Sequence, residues 1–180
     1  MSWPVESVYA DGGCLGRNPS AEGGTWATLH VGESGVLWEA SGIVTPDQFG
    51  LPTITNNLTE LLAVVKGLEA LPDGWSGKVW TDSRVTMFRA QKRRKQARMN
   101  GIPEVLMARL AMVKRRLGLY TVCLLAGHPD ELALARGRSA KGLPVSRWNQ
   151  RCDSLCAETG RLWREQNWSG AVDRRRAGAV

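Results

Sequence analysis

Apolar and polar positions alternate along the first part of the chain and then change period near residue 57, which separates a run of strands from a helix. Three β-type runs come first, over residues 5–10, 24–31 and 36–44, and in the second Thr25, Ala27, Leu29 and Val31 share one face. The Gly-Glu-Ser-Gly turn at 32–35 predicts a hairpin between the second and third. From 57 to 71 the repeat is helical, with Leu58, Leu61, Leu62, Val65 and Leu68 on one stripe, and Pro72, Asp73 and Gly74 stop it. Residues 78–81 read as a buried strand leading into Asp82-Ser83, a cap for a short helix. A basic segment follows, and Asn100-Gly101 with Pro103 opens a further helix that ends near Leu117. A fifth strand covers 119–125. After a Gly- and Arg-rich loop, 129–146, a last helix runs from Arg147 to Trp168 with the stripe Trp148, Cys152, Leu155, Cys156, Leu162 and Trp163. The order βββαβαβα predicts an α/β domain with a mixed sheet.

With 180 residues and 43% hydrophobic content, the chain is expected to form one domain with a buried core. That domain spans 1–168, and 169–180, small and basic, are expected to form a disordered tail. The net charge of +7, clustered at 89–98, 114–116, 136–147 and 174–176, points to an anionic partner, nucleic acid foremost. Cys14, Cys123, Cys152 and Cys156 lack the paired C-x-x-C spacing of a zinc site and read as reduced core thiols of a cytoplasmic protein. No basic segment followed by an apolar core opens the chain, and no apolar run approaches about eighteen residues, so neither an export signal nor a membrane span is expected.

Four acids then stand out by position. Asp11 ends the first apolar run, Glu60 lies in the first turns of the crossover helix, Asp82 ends the fourth strand and Asp153 rides on the last helix. If the strand ending at Asp82 lies parallel beside the first, Asp11 and Asp82 emerge at one sheet edge, where open α/β sheets place ligands, and Glu60 leans over it. Acids gathered that closely raise one another's pKa unless a cation joins them, and hard oxygen ligands in a basic protein point to Mg²⁺ acting on a phosphate. Each position also has a local reading. Asp11-Gly12-Gly13 has the composition of a tight turn, Asn57-Leu58-Thr59-Glu60 has capping-box spacing, Asp82 or Ser83 suits an N-cap, and Asp153 suits a solvated helix face. His30, alternating with Trp26 and Thr28, is expected at the surface or as a satisfied cross-strand partner. Trp80, Trp148 and Trp163 are expected in the core.

Five motifs taken together carry a resemblance. Asp11-Gly-Gly-Cys-Leu-Gly with Asn18-Pro19 and Gly23-Gly24 comes first, then Thr55-Asn56-Asn57-Leu-Thr-Glu60-Leu-Leu-Ala, then Trp80-Thr-Asp82-Ser83. Ala126-Gly-His128-Pro and Trp148-Asn149-Gln-Arg-Cys-Asp153-Ser-Leu-Cys-Ala complete the set, which resembles the ribonuclease H type 1 family over residues 5 to about 165. The resemblance implies a five-stranded mixed sheet in the order 3-2-1-4-5 flanked by helices. It further implies hydrolysis of the RNA strand of an RNA–DNA hybrid, leaving 5′-phosphate and 3′-hydroxyl ends. Asp11, Glu60, Asp82 and Asp153 would be the metal-binding carboxylates, with Asp11 shared between two Mg²⁺ ions and Mn²⁺ as an alternative. His128 would match the loop histidine that aids proton transfer or product release, and Gly12, Gly13, Asn18, Asn56, Asn57 and Asn149 would fall among the substrate contacts. The basic segment with Lys92, Arg93 and Arg94 would grip the duplex. This chain departs from the family pattern in two places: Ala126 replaces a lysine and extra residues part His128 from Asp153, and the basic segment is short and lacks tryptophans.

The expected enzyme is thus a monomeric hybrid endoribonuclease with no membrane partner. Two alternatives stand beside it: a module that binds hybrid or duplex without cutting it, and another nuclease on the same topology, such as a resolvase or exonuclease. The presence of all four acids argues against the first. The Asn56-Asn57 pair and the Gly-rich turn after Asp11 argue against the second.

Overall fold

The alternating runs pair as their pattern predicts. The computed structural model describes residues 4–91 and 100–177, with side chains described as far as residue 167. Its strands are β1 (Ser7–Cys14), β2 (Gly24–Gly32), β3 (Gly35–Val44), β4 (Gly77–Thr81) and β5 (Tyr120–Leu124), in one sheet ordered β3-β2-β1-β4-β5. β1, β2 and β3 form an antiparallel meander, whereas β4 lies parallel to β1 and β5 parallel to β4. The helices are α1 (Asn56–Glu69), α2 (Arg84–Ala90), α3 (Glu104–Arg116), α4 (Glu131–Arg136) and α5 (Arg147–Ala177).

Period-two alternation gives β1 two different faces. Val8 and Ala10 point into a large core built with the α1 stripe, Leu58, Leu61, Leu62, Val65 and Leu68, all of it fully or almost fully buried. Each of the valines and leucines among them stabilises the fold by about 1.5–3 kcal/mol relative to exposure. Tyr9 points the other way, into a second layer in which Cys152, Leu155 and Cys156 of α5 meet Ala27, Leu29 and Val31 of β2. The sheet is therefore sandwiched, with α1 against β1 and β2 on one side and α5 across β1, β2 and β3 on the other.

Several local expectations change. β1 continues past Ala10 to Cys14, because Asp11–Cys14 keep their pairing with Ala27–Gly24; the Asp11-Gly12-Gly13 sequence is strand, and the tight turn is absent. The 129–146 segment contains α4, which Asp130 caps by accepting the Ala133 N–H at 2.7 Å and Gly137 ends in the left-handed region, followed by an Arg138–Pro144 bridge. α5 runs past Trp168 to Ala177, through most of the segment expected as a tail. His30 is buried at 4% exposure, so its surface placement fails; it packs on its cross-strand neighbour Trp38, with ring centroids 4.6 Å apart, and its Nε2–H donates to the Gly67 carbonyl of α1 at 2.8 Å. Trp80 is half-buried and stacks on Tyr9, while Trp75 is fully buried and donates to the Val5 carbonyl. All four cysteines are free, and among the described residues no helix is long and apolar enough to cross a membrane.

Candidate functional site

The parallel register Tyr9↔Trp80 decides where the first two acids lie. Two residues further along each strand come Asp11 and Asp82, side by side at the edge where that pairing ends. α1 brings the third. A Cβ at Gly12 would run into the backbone of Thr59 and Glu60, so glycine at that position is what lets α1 pass close enough to set Glu60 over Asp11. One ligand oxygen from each of Asp11, Glu60 and Asp82 lies within 4.8 Å of the others.

Neither Glu60 nor Asp82 is occupied by a cap. Thr55 caps α1 by accepting the Leu58 N–H, and Ser83 caps α2 by accepting the Thr86 N–H at 3.2 Å. The capping-box and Asp82 N-cap readings therefore both fail, and the two carboxylates are left to face each other. Glu60 accepts the Thr81 hydroxyl at 3.4 Å, and Asp11 accepts the Gly12 N–H at 2.7 Å.

The electrostatics follow from this burial. Asp11 is 7% exposed, and desolvation, with repulsion from Asp82 behind it, pushes its carboxyl up to about 7. Glu60 is pushed up to about 9 by desolvation first and by Asp11 and Asp82 next. Asp82 is raised chiefly by burial, against the lowering influence of His128 and of a hydrogen bond from Asn149. No described lysine or arginine lines the surrounding cavity of about 310 Å³. Oxygen ligands that repel one another, with no cationic side chain among them, are a donor set that fits a hard divalent cation.

The fourth acid sits apart from this group. Asp153, on the solvent side of α5, lines the same cavity, and its carboxylate lies 3.5 Å from Nδ1 of His128. His128 is exposed and held at a φ of 45°, in the left-handed region where histidine is an uncommon occupant. The sequence-derived quartet is thus a triad with Asp153 and His128 at its rim.

Gly12, Gly13, Asn18 and Asn56 line the cavity as well. Asn56 Oδ1 accepts the Cys14 N–H at 3.0 Å, and Asn18 Oδ1 accepts the Asn56 N–H at 3.2 Å. Both carboxamide oxygens are thereby occupied, which leaves the two NH₂ groups as the donors available to a ligand. Asn57 is exposed on the first turn of α1 and is not among the cavity residues. Asn149 is 2% exposed; its side chain lies beside Asp82 and lowers that carboxyl's pKa, and its Oδ1 is buried without a partner. Lys92, Arg93 and Arg94 lie outside the described residues. Thr81, Cys14 and Cys156 also belong to this neighbourhood and were not among the expected residues. Thr81 was readable in principle as a polar residue at the inward end of an apolar strand. The cysteines carried no signal beyond their apolar spacing.

No protein-family model matches the chain. It is 32% identical over 149 residues to a ribonuclease H of Oleidesulfovibrio alaskensis, covering 82% of this chain and 85% of that protein. A ribonuclease H of Nitratidesulfovibrio vulgaris is 34% identical over 150 residues, covering 83% and 85%. Among solved structures, the N-terminal RNase H domain of rv2228c from Mycobacterium tuberculosis superposes with a TM-score of 0.59 at 17% identity, covering 90% of this chain and 99% of that one. LC11-RNase H1, solved in complex with an RNA/DNA hybrid, gives a TM-score of 0.56 at 20% identity, covering 84% and 94%. At that identity the solved structures establish the fold alone. The two bacterial enzymes are each more than 30% identical to this chain over more than four-fifths of its length, and by that likeness this chain belongs to the ribonuclease H family.

Proposed function

We propose that this protein hydrolyses the RNA strand of RNA–DNA hybrids, with Asp11, Glu60 and Asp82 holding Mg²⁺ or Mn²⁺ and Asp153 contributing from the rim. The observation that carries this reading is the convergence of three carboxylates from β1, α1 and the end of β4 on one point. The two sequence relatives are ribonucleases H, and one solved structural neighbour holds an RNA/DNA hybrid. When bound, a divalent cation supplies Lewis-acid stabilisation of phosphate charge and a water of lowered pKa.

The chain's own residues then have separable tasks. Asn149 braces the Asp82 carboxylate from the buried side, and Thr81 braces Glu60. His128, exposed beside Asp153, is placed to accept or release a proton at the rim, its imidazole oriented through Nδ1. The free amide donors of Asn18 and Asn56, with the backbone at Gly12 and Gly13, suit the 2′-hydroxyls and base edges of a shallow minor groove.

The test is cleavage of a labelled hybrid with Mg²⁺ and with excess EDTA, alongside duplex DNA, double-stranded RNA and a four-way junction. Cutting confined to the hybrid with Mg²⁺ is expected. Asp11→Asn and Asp82→Asn should fold and bind hybrid but lose cleavage by several orders of magnitude. Robust cleavage by either variant overturns the mechanism; hybrid binding without turnover in any divalent metal leaves a binding module, and preference for the junction leaves a resolvase.

A further inference from the structure

A second groove, of about 450 Å³, opens from the acid cavity and runs along α5. The two share Gly13, Cys14, Asp153 and Cys156 as common wall, so they form one continuous depression. Its floor is built by close packing: a Cβ on Gly160 would meet Leu15 at 3.1 Å and Thr25 at 3.4 Å, so α5 lies directly on the ends of β1 and β2. Its far wall carries Arg161 and Arg164. At 1.5 Å rise per residue they stand about 12 and 16 Å along the helix from Asp153, a few nucleotides from the acids at roughly 3.4 Å of axial rise per strand.

The charges along this path are ordered. The acids occupy one end, and the arginines begin two turns further on. Arg161 is partly neutralised by Glu165, 2.8 Å away on the next turn of α5, whereas Arg164 is half-buried and makes no ion pair among the described residues. A guanidinium in that position, on the wall of a groove leading out of a phosphodiester site, has fork geometry suited to a phosphate.

We propose that this groove carries the sugar–phosphate backbone of the bound nucleic acid beyond the cut site, with Arg164 as its principal phosphate contact and Arg161 as a second. The inference rests on the hybrid-hydrolase reading and extends its substrate footprint along α5.

Binding is measured without Mg²⁺, by anisotropy across a salt series, for a long hybrid and for one truncated to the acid cavity. For the long hybrid, Arg164→Gln should weaken binding roughly tenfold, the scale of one hydrogen bond to a charged group, and make the slope of log K against log salt shallower by about 1. The truncated hybrid should lose distinctly less. Ala157→Glu, at an exposed α5 position that also lines the groove, tests the path without removing an arginine and should weaken the long hybrid in the same length-dependent way. Wild-type affinity and salt slope in both variants overturn the proposal, as does an equal loss for both hybrid lengths. If the wild type neither binds hybrid here nor cuts it with Mg²⁺, the hybrid-hydrolase reading fails together with this one; a wild type that cuts hybrid with Mg²⁺ but does not bind it here overturns this inference alone, as do unchanged variants in a hybrid-binding protein.

Discussion

Replacing Glu60 by Gln should stabilise the metal-free protein at neutral pH and abolish its response to Mg²⁺. Glu60 is held up to about 9 in the fold, against an ordinary value of 4.5, and Asp11 beside it up to about 7 against 3.8. From about pH 5 upward the unfolded chain has given up these protons while the folded chain keeps at least one. Stability is therefore full below the ordinary carboxylate range and is lost as pH rises toward the folded values. One retained proton costs about 1.4 kcal/mol per pH unit. Glu60 is partly accessible, so screening trims the effect, and about 2–4 kcal/mol over three pH units is a fair scale. For a domain of this size that is a fall of roughly 5–15 °C in Tm between about pH 5 and 8.

Gln reproduces the protonated acid in shape, so the variant should match the wild type near pH 5 and pull ahead as pH rises. Thermal unfolding in EDTA at stepped pH, repeated with Mg²⁺, measures both arms. Mg²⁺ should restore the wild type most where the acids must be stripped of protons to bind it, at neutral pH and above, and should do little for Glu60→Gln. Parallel Tm–pH curves for the two proteins in EDTA would refute the electrostatic argument. An equal gain from Mg²⁺ would refute the metal assignment.

The remaining predictions concern the supports of the site. Gly12→Ala forces α1 away from β1, so urea unfolding should show a loss of about 1–3 kcal/mol, and cleavage should fall because Glu60 leaves Asp11. Asn149→Ala should raise the Mg²⁺ concentration needed for both cleavage and thermal stabilisation by about 10–100-fold, since Asp82 loses the amide that fixes it. His30 is kept neutral by burial, its pKa lowered, so its contribution is complete above about pH 6.5 and declines as pH falls and the unfolded imidazole protonates. His30→Gln should flatten that acid-side decline, read as the urea midpoint between about pH 5 and 7.

The layers of the fold were legible because each rests on a short-range pattern. The alternation of Val8, Tyr9 and Ala10 and the 3.6-period stripe from Leu58 to Leu68 each admit one way of burying their apolar face, and β1, β2, β3 and α1 followed from them. The parallel placement of β4 beside β1 followed from the α1 crossover. What stayed hidden depended on partners distant in sequence. His30 reads equally as a surface residue or a satisfied cross-strand partner until Trp38 is seen against its ring and the Gly67 carbonyl is known to lie 2.8 Å away. Asn149 reads as a substrate contact until α5 is seen to bury it against Asp82. α4 was missed because six residues, fewer than two turns, are too short for an amphipathic repeat; the Asp130 cap and Gly137 stop were present, but no stripe accompanied them.

Asp153 does ride on a solvated face of α5, but the local readings of Asp11, Glu60 and Asp82 failed for a physical reason that also bears on function. Thr55 and Ser83 already cap α1 and α2, and Asp11 lies within a paired strand, so no helix end or turn needs a carboxylate at these positions. Asn or Gln would fill the same volume without the repulsion that raises all three groups. A chain shaped for stability alone would carry amides there, because burying mutually repelling acids destabilises the empty fold. Their combination is favourable only when a cation enters the cluster, and the cost of leaving it empty is what ties Asp11, Glu60 and Asp82 to metal chemistry more firmly than their order in the sequence does.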